Sequence, residues 1–276
     1  MMEIFEQAAF LRQQNTPFVI ATVIETSGSA PGKSGFKLLL DAQQQVSGTV
    51  GGGAIEKKTI EQCREFLGRP ETQIKKYLLH RAADTGNLPE DTEAVPMMCN
   101  GGMTILYESF GAMPAVYIFG GGHVGQALSF FLFRLGYYIT VIDNRSEFAT
   151  PEKHVHAQKV ICSDYHPFCS RLENPAESYA VIVTHGHQHD QEILQILLKR
   201  ELPFKYIGII ASRSKAAGML KQVRSELGEK TDLSAVYTPI GLDIGGNSES
   251  EISLSIAAEI QAVRYGKAGP HLKDNR

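Results

Sequence analysis

Apolar side chains at Ile4, Phe5, Ala8, Ala9 and Leu11 recur at helical spacing and predict a helix over residues 3–14. The next apolar run, Phe18-Val19-Ile20-Ala21-Thr22-Val23-Ile24, is continuous and β-branched, the signature of a buried strand. Ser27-Gly28-Ser29-Ala30-Pro31-Gly32-Lys33-Ser34-Gly35 then reads as a loop, residues 36–40 as a strand, and Asp41 as the start of a polar turn. Gly51-Gly52-Gly53 opens a helix to about residue 67, with Ala54, Ile55, Ile60, Cys63, Phe66 and Leu67 as its buried side. Two further strands, 74–79 and 103–107, bracket a loop from Arg81 to Gly102 that carries Pro89, Pro96 and Cys99. Loops of this length in compact domains are usually functional or disordered.

After Pro114 the period changes. Strands are predicted at 115–119, 138–142, 159–162, 180–184, 206–210 and 235–237, with helices near 123–135, 166–173, 190–200, 213–227 and 249–264. Parallel neighbours need crossover helices, so this alternation predicts a doubly wound parallel sheet of Rossmann type. Gly111-Ala112-Met113-Pro114 supplies a linker. The expected fold class is therefore α/β: a small mixed α/β domain over 1–112, then a Rossmann-type domain over 113–276. Ser248 and Glu251 make a capping box for the last helix.

Composition narrows the classes of partner. The chain has 276 residues, 43% hydrophobic and 21% charged, enough to bury a proper core. A net charge of -3 gives no electrostatic footprint for nucleic acid or an anionic membrane, so anionic ligands must be held by local groups. No run approaches the length of a membrane span, and the N-terminus lacks the basic region of a signal peptide. The four cysteines, Cys63, Cys99, Cys162 and Cys169, form no CxxC pair and read as reduced thiols. A cytoplasmic protein is the expectation.

The strongest motif is Gly120-Gly121-Gly122-His123-Val124-Gly125, directly after a predicted strand. Gly120 makes the tight turn, Gly122 admits a pyrophosphate, Gly125 lets helix and strand approach, and the helix aims its first amides at an anion. Asp143 ends the second strand roughly 20 residues on, where a carboxylate takes ribose hydroxyls in dinucleotide sites. Arg145 either contacts a phosphate or is a surface cation. His123 either touches a phosphate or only caps the turn.

Other constellations carry a chemical and a plain structural reading. Thr184-His185-Gly186-His187-Gln188-His189-Asp190 puts three imidazoles and a carboxylate in six residues at the end of a parallel strand. His185, His187 and His189 suit zinc or iron; the competing roles are substrate hydrogen bonding and helix N-capping by Asp190. Gly32-Lys33-Ser34 is not a Walker loop, because Gly28 is one residue too close and a strand follows, but Lys33 can be presented to an anion. Gly51, Gly52 and Gly53 before a helix form either an anion seat or a sterically forced turn. Cys99 in a glycine-rich loop is a nucleophile, a sulfur carrier, a soft-metal ligand or an inert thiol. Ser212-Arg213-Ser214-Lys215 opens a helix after a strand and can line an anion pocket. Asp243, in the glycine-rich loop 239–246, either approaches the ligand crevice or caps a turn.

These pieces, in this order, resemble the XdhC/CoxI family of accessory proteins for xanthine dehydrogenase and related molybdenum hydroxylases. The likeness rests on Gly28-Ser29-Ala30-Pro31-Gly32, on Gly48-Thr49-Val50-Gly51-Gly52-Gly53 with Glu56, and on Cys99-Asn100-Gly101-Gly102. It continues through the 118–125 loop, Val141-Ile142-Asp143-Asn144-Arg145, Thr184-His185 with His187 and Asp190, and the segments 208–213, 239–245 and 251–260. The resemblance implies a carrier that binds molybdopterin as cargo, protects it during sulfuration and helps insert it into the apo-enzyme. It makes Cys99 the candidate for cofactor or sulfur handling, an apo molybdenum hydroxylase such as xanthine dehydrogenase the client, a cysteine desulfurase a further partner, and the protein a homodimer. The chain departs from the family at Gly121 and Gly125, where alanine is more usual, and at the additional imidazole in His187-Gln188-His189. An NAD(P)-linked oxidoreductase built on the glycine loop and Asp143, and a metal-dependent hydrolase built on the three histidines, are the competing readings.

Overall fold

The computed structural model describes residues 3–69, 71–80, 91–173 and 177–269. The chain divides into two compact units, Met1–Ala112 and Met113–Arg276.

The first unit runs α1 (Ile4–Gln13), β1 (Phe18–Gly28), β2 (Lys37–Asp41), β3 (Val46–Gly48), α2 (Gly53–Phe66), β4 (Thr72–His80), β5 (Thr92–Pro96) and β6 (Gly101–Phe110). These strands form one sheet in the order β3-β2-β1-β6-β4-β5, antiparallel except for the β4–β5 pair. β1 is buried on both faces over its first six residues because two helices cover it. Val19, Ala21 and Val23 join Ile55 and Cys63 of α2, whereas Phe18 and Ile20 join Leu11 of α1.

The unit differs from the sequence expectation at β3, a short strand not predicted there, and at two further places. The loop from Arg81 to Gly102 contains the strand β5, an edge strand in which only Val95 is buried. Edge position explains its weak signal: one buried side chain gives no alternation, and Pro96 is tolerated where the ladder ends. Residues 81–90, with Pro89, lie outside the described residues. Ser27 and Gly28, read as loop, belong to β1 and pair with Gly102 and Gly101. The approach is close enough that a Cβ on Gly101 would stand 2.4 Å from the Ser27 carbonyl oxygen.

The second unit runs β7 (Ala115–Phe119), α3 (His123–Arg134), β8 (Tyr138–Asp143), β9 (Lys159–Cys162), α4 (Tyr165–Arg171), β10 (Tyr179–Ile182), α5 (His187–Lys199), β11 (Tyr206–Ile209), α6 (Arg213–Leu227), β12 (Val236–Tyr237) and α7 (Glu249–Arg264). All its strands are parallel, in the order β12-β11-β10-β7-β8-β9. The chain starts at β7, winds outward to β9, then returns to β10 and winds the other way. That doubly wound α/β sheet is a Rossmann-like fold, with its switch point between β7 and β10. Alternate side chains enter two cores: Val116 and Ile118 pack toward α3 and α7, and Phe119 toward α4 and α5. Two-sided burial is why the strands read as continuous apolar runs. The Ser248–Glu251 capping box at α7 is formed.

Candidate functional site

In open parallel sheets the ligand crevice lies outside the carboxyl ends of the strands at the switch point, here between the β7–α3 and β10–α5 turns. The glycines of the β7–α3 turn do different work. Gly120 has φ +120°, and a Cβ there would lie 2.3 Å from the Val183 carbonyl oxygen. A Cβ on Gly125 would lie 2.1 Å from the Gly120 carbonyl oxygen, and one on Gly121 2.6 Å from that of Phe148. These three positions are closed by backbone. Gly122, the N-cap of α3 at φ -72°, would meet nothing within 4 Å, and no side chain caps the helix. The open space at an uncapped helix N-terminus is where a phosphate can approach. His123, the first residue of α3, is exposed beside it.

Asp143 does not occupy the role expected of it. It is 0% exposed, and both carboxylate oxygens are engaged. Oδ2 accepts from the Gly121 N–H at 2.8 Å and from Arg145 Nη2 at 2.9 Å; Oδ1 accepts from the Arg145 N–H and Nε, each at 3.0 Å. Burial opposes the charge, but the Arg145 side chain and backbone and the Gly121 amide outweigh it and hold the carboxyl below its usual range. A ribose diol cannot reach this carboxylate without displacing Arg145. Arg145 is likewise committed: its guanidinium carbon lies 3.9 Å above the centre of the Phe148 ring. Asp143 and Arg145 therefore lock the glycine loop rather than face a ligand. His154, which sequence reasoning missed, supports the same loop. It is 2% exposed, with Nε2 2.9 Å from the Phe148 carbonyl oxygen, and burial lowers its pKa. No local motif marks it, since its partners come from a separate turn.

Across the switch point, α5 starts at His187, three residues before the predicted start, with Gly186 as N-cap. Asp190 is thus not an N-cap. It sits inside the first turns, 1% exposed, and accepts from the Thr184 hydroxyl at 2.6 Å and the Thr184 N–H at 3.2 Å. Burial raises its pKa. Helical spacing also undoes the metal reading: residues two apart on a helix point to nearly opposite sides. His187 turns toward Lys215, its Nε2 2.5 Å from Nζ, whereas the His189 ring meets Tyr165 edge-on and lies tilted 5.1 Å from the His185 ring. Among the described residues, no group of three or more His, Cys, Asp or Glu side chains is placed to hold a metal ion. Asp243 is 93% exposed and faces Arg213 at 4.0 Å. A cleft of about 720 Å³ beside the amino ends of β11 and β12, lined among others by Glu201, Pro203, Leu227 and Asp232, contains none of the residues singled out from the sequence.

In the first unit the fold gathers three of the sequence motifs. Ser29 N–H bonds the Asn100 carbonyl at 3.0 Å, a Cβ on Gly32 would lie 2.0 Å from the Val50 carbonyl oxygen, and one on Gly53 2.9 Å from the tip of Met97. Cys99 is half-buried where these loops meet, while Met98 beside it is 82% exposed. Lys33 is exposed on its turn. The anion seat expected at Gly51, Gly52 and Gly53 is largely filled from within. Glu56 of α2 reaches back to accept from the N–H groups of Val50 and Gly52, each at 3.2 Å, and from the Thr49 hydroxyl, while Gly51 N–H bonds Thr49 Oγ1. A carboxylate at a helix N-terminus does what a bound anion would do.

Known proteins share both units. A family model described as the XdhC Rossmann domain matches residues 116–260, and one described as the XdhC and CoxI family matches residues 11–78. The uncharacterized protein YqeB of Escherichia coli is 30% identical over 97% of this chain and 47% of its own length. A Bacillus subtilis protein described as a probable xanthine dehydrogenase subunit is 29% identical over 55% of this chain and 43% of its own. The chain thus spans about half the length of the curated relatives it matches. A crystal structure of a xanthine dehydrogenase from Bacillus halodurans covers 98% of both chains with a TM-score of 0.50 at 20% identity, a likeness of fold. No helix among the described residues is long and apolar enough to cross a membrane. On the two matched domains, in this order, the chain belongs to the XdhC and CoxI family.

Proposed function

We propose that this chain is an accessory protein for maturation of xanthine dehydrogenase or a related molybdenum hydroxylase, carrying the molybdenum cofactor as cargo and turning over no substrate of its own. One observation carries the reading: at the switch point a Cβ on Gly122 would meet open space at an uncapped helix N-terminus, while the Asp143 carboxylate is taken up by Arg145 and the Gly121 amide. A ligand with a terminal phosphate fits that combination, and molybdopterin has one. An ordinary dinucleotide loses the carboxylate that would take its ribose. Family membership, and a relative that is itself a probable xanthine dehydrogenase subunit, support the choice of client.

Cys99 is assigned the handling of cofactor or sulfur, because it is the half-accessible thiol among three glycine-rich turns. A cysteine desulfurase is the partner that would supply sulfur, in the cytoplasm, to a homodimer. The NAD(P)-linked reading keeps the glycine loop in its favour, and one experiment separates the two. The chain, purified anaerobically from a molybdopterin-producing host, is assayed for fluorescent pterin and molybdenum and titrated with NADH and NADPH. Pterin with molybdenum and no response to millimolar nicotinamide cofactor supports the carrier. A saturable nicotinamide response without pterin supports the oxidoreductase.

A further inference from the structure

The first turns of α5 and α6 come together at the carboxyl edge of the paired strands β10 and β11. There Lys215 Nζ and His187 Nε2 are 2.5 Å apart, and the other ring nitrogen of His187 faces Asp190 Oδ2 at 3.7 Å. Asp190 is itself anchored, since its Oδ1 takes both the N–H and the hydroxyl of Thr184. Thr184 in turn abuts the glycine loop: a Cβ on Gly120 would lie 3.1 Å from the Thr184 Cα. The imidazole is thus oriented from behind by a buried carboxylate, while its front nitrogen and the ammonium share one exposed point.

What this point lacks is a counter-ion. Among the described residues no carboxylate lies within 4.0 Å of Lys215, whereas Arg213, two residues earlier, faces Asp243 at that distance. An ammonium has three donors and spends one on the imidazole, so two remain for an outside acceptor. A phosphoryl group offers several oxygens and a charge, and charge-assisted bonds to it are about twice as strong as neutral ones.

We propose that Lys215 and His187 form a phosphate-reading site for a phosphate-bearing small molecule, with Asp190 and Thr184 as positioning residues. A phosphoryl oxygen accepts from Lys215 Nζ in place of the imidazole, and a P–OH of the same group donates to the freed His187 Nε2. The site stands whether or not the cargo is molybdopterin, because it rests on this pair and not on the cofactor's chemistry.

The test uses inorganic phosphate as the probe and the intact chain, with binding read by calorimetric titration. Loss of the ammonium in Lys215→Ala is expected to weaken phosphate about tenfold or more, and Lys215→Arg to restore it to within roughly threefold. His187→Gln is expected to weaken it about threefold or more. Lys221→Ala removes an exposed cation from the same helix and is expected to change nothing. Equal losses in Lys215→Ala and Lys221→Ala would mean diffuse charge and overturn the proposal. So would retention of phosphate by Lys215→Ala together with its loss in Gly122→Val, which would put the ion at the glycine loop alone. Absence of saturable phosphate binding by the unsubstituted chain would overturn it as well.

Discussion

Substituting Gly122 by valine should cost the fold little and abolish cargo binding, whereas substituting Gly120 by alanine should damage the fold itself. At Gly120 two costs add. A φ of +120° strains any L side chain, about 1–3 kcal/mol, and a Cβ 2.3 Å from the Val183 carbonyl oxygen forces a backbone shift worth about 1–3 kcal/mol more. The total of about 2–6 kcal/mol lowers Tm by roughly 4–24 °C for a unit of this size. At Gly122 the φ of -72° is ordinary and the Cβ meets open space. Only the preference for glycine over valine at an N-cap is lost, about 1 kcal/mol or roughly 2–4 °C. Calorimetry on the intact variants in one buffer reads the stability, and pterin content after anaerobic purification reads the binding. A Gly122→Val protein as unstable as Gly120→Ala would refute the view that position 122 is an open seat. A stable Gly122→Val protein with full pterin content would refute the view that phosphate sits there.

Three further outcomes follow from the same structure. Arg145→Ala leaves the buried Asp143 carboxylate with its backbone donors at Gly121 and position 145 but without its cation, and should cost about 3 kcal/mol at pH 7. Because the folded pKa of Asp143 is depressed, its contribution is present above the unfolded value of about 3.9 and fades as pH falls below it, so denaturant midpoints of variant and wild type should converge in acid. Asp190 has the opposite sign: burial raises its pKa, so its ionisation destabilises the fold as pH rises above about 4. Asp190→Asn keeps an acceptor for Thr184 and should gain stability relative to wild type over that rise; a constant difference across pH would contradict the assignment. Finally, burial pushes the Cys63 and Cys169 thiols up to about 12, so alkylation of the native chain at pH 8, followed by peptide mass spectrometry, should mark Cys99 and the exposed Cys162 and spare the other two. Labelling of Cys63 at a rate like that of Cys99 would show that the core of the first unit opens.

Much of the fold was legible because its signals are periodic and local. Two-sided burial makes β7, β8, β10 and β11 read as apolar runs, and Gly120 punctuates the end of β7. β5 escaped because an edge strand with one buried residue has no period to detect. The glycine loop was legible as a motif, but the division of labour within it was not: which glycine is closed by backbone depends on Val183 and Phe148, from other turns. Asp143 shows the same limit. Its position after the second strand matches a ribose-binding acid, yet Arg145, two residues on, consumes it. Glu56 filling the 51–53 turn and Lys215 meeting His187 are tertiary facts of that kind. The three histidines misled for a simpler reason. They are close in sequence, and a helix starting at His187 turns His187 toward Lys215, away from the His185–His189 pair.

If the chain carries a molybdenum cofactor, as proposed, it should retain that cargo through purification. The most direct measurement is the pterin and molybdenum content of the chain purified anaerobically from a molybdopterin-competent host, beside Gly122→Val and Cys99→Ala. The expected result is pterin and molybdenum on the wild-type chain, loss of both from Gly122→Val, and reduced molybdenum or sulfur loading on Cys99→Ala, with all three proteins folded. A folded wild-type chain holding neither pterin nor molybdenum would contradict the carrier role.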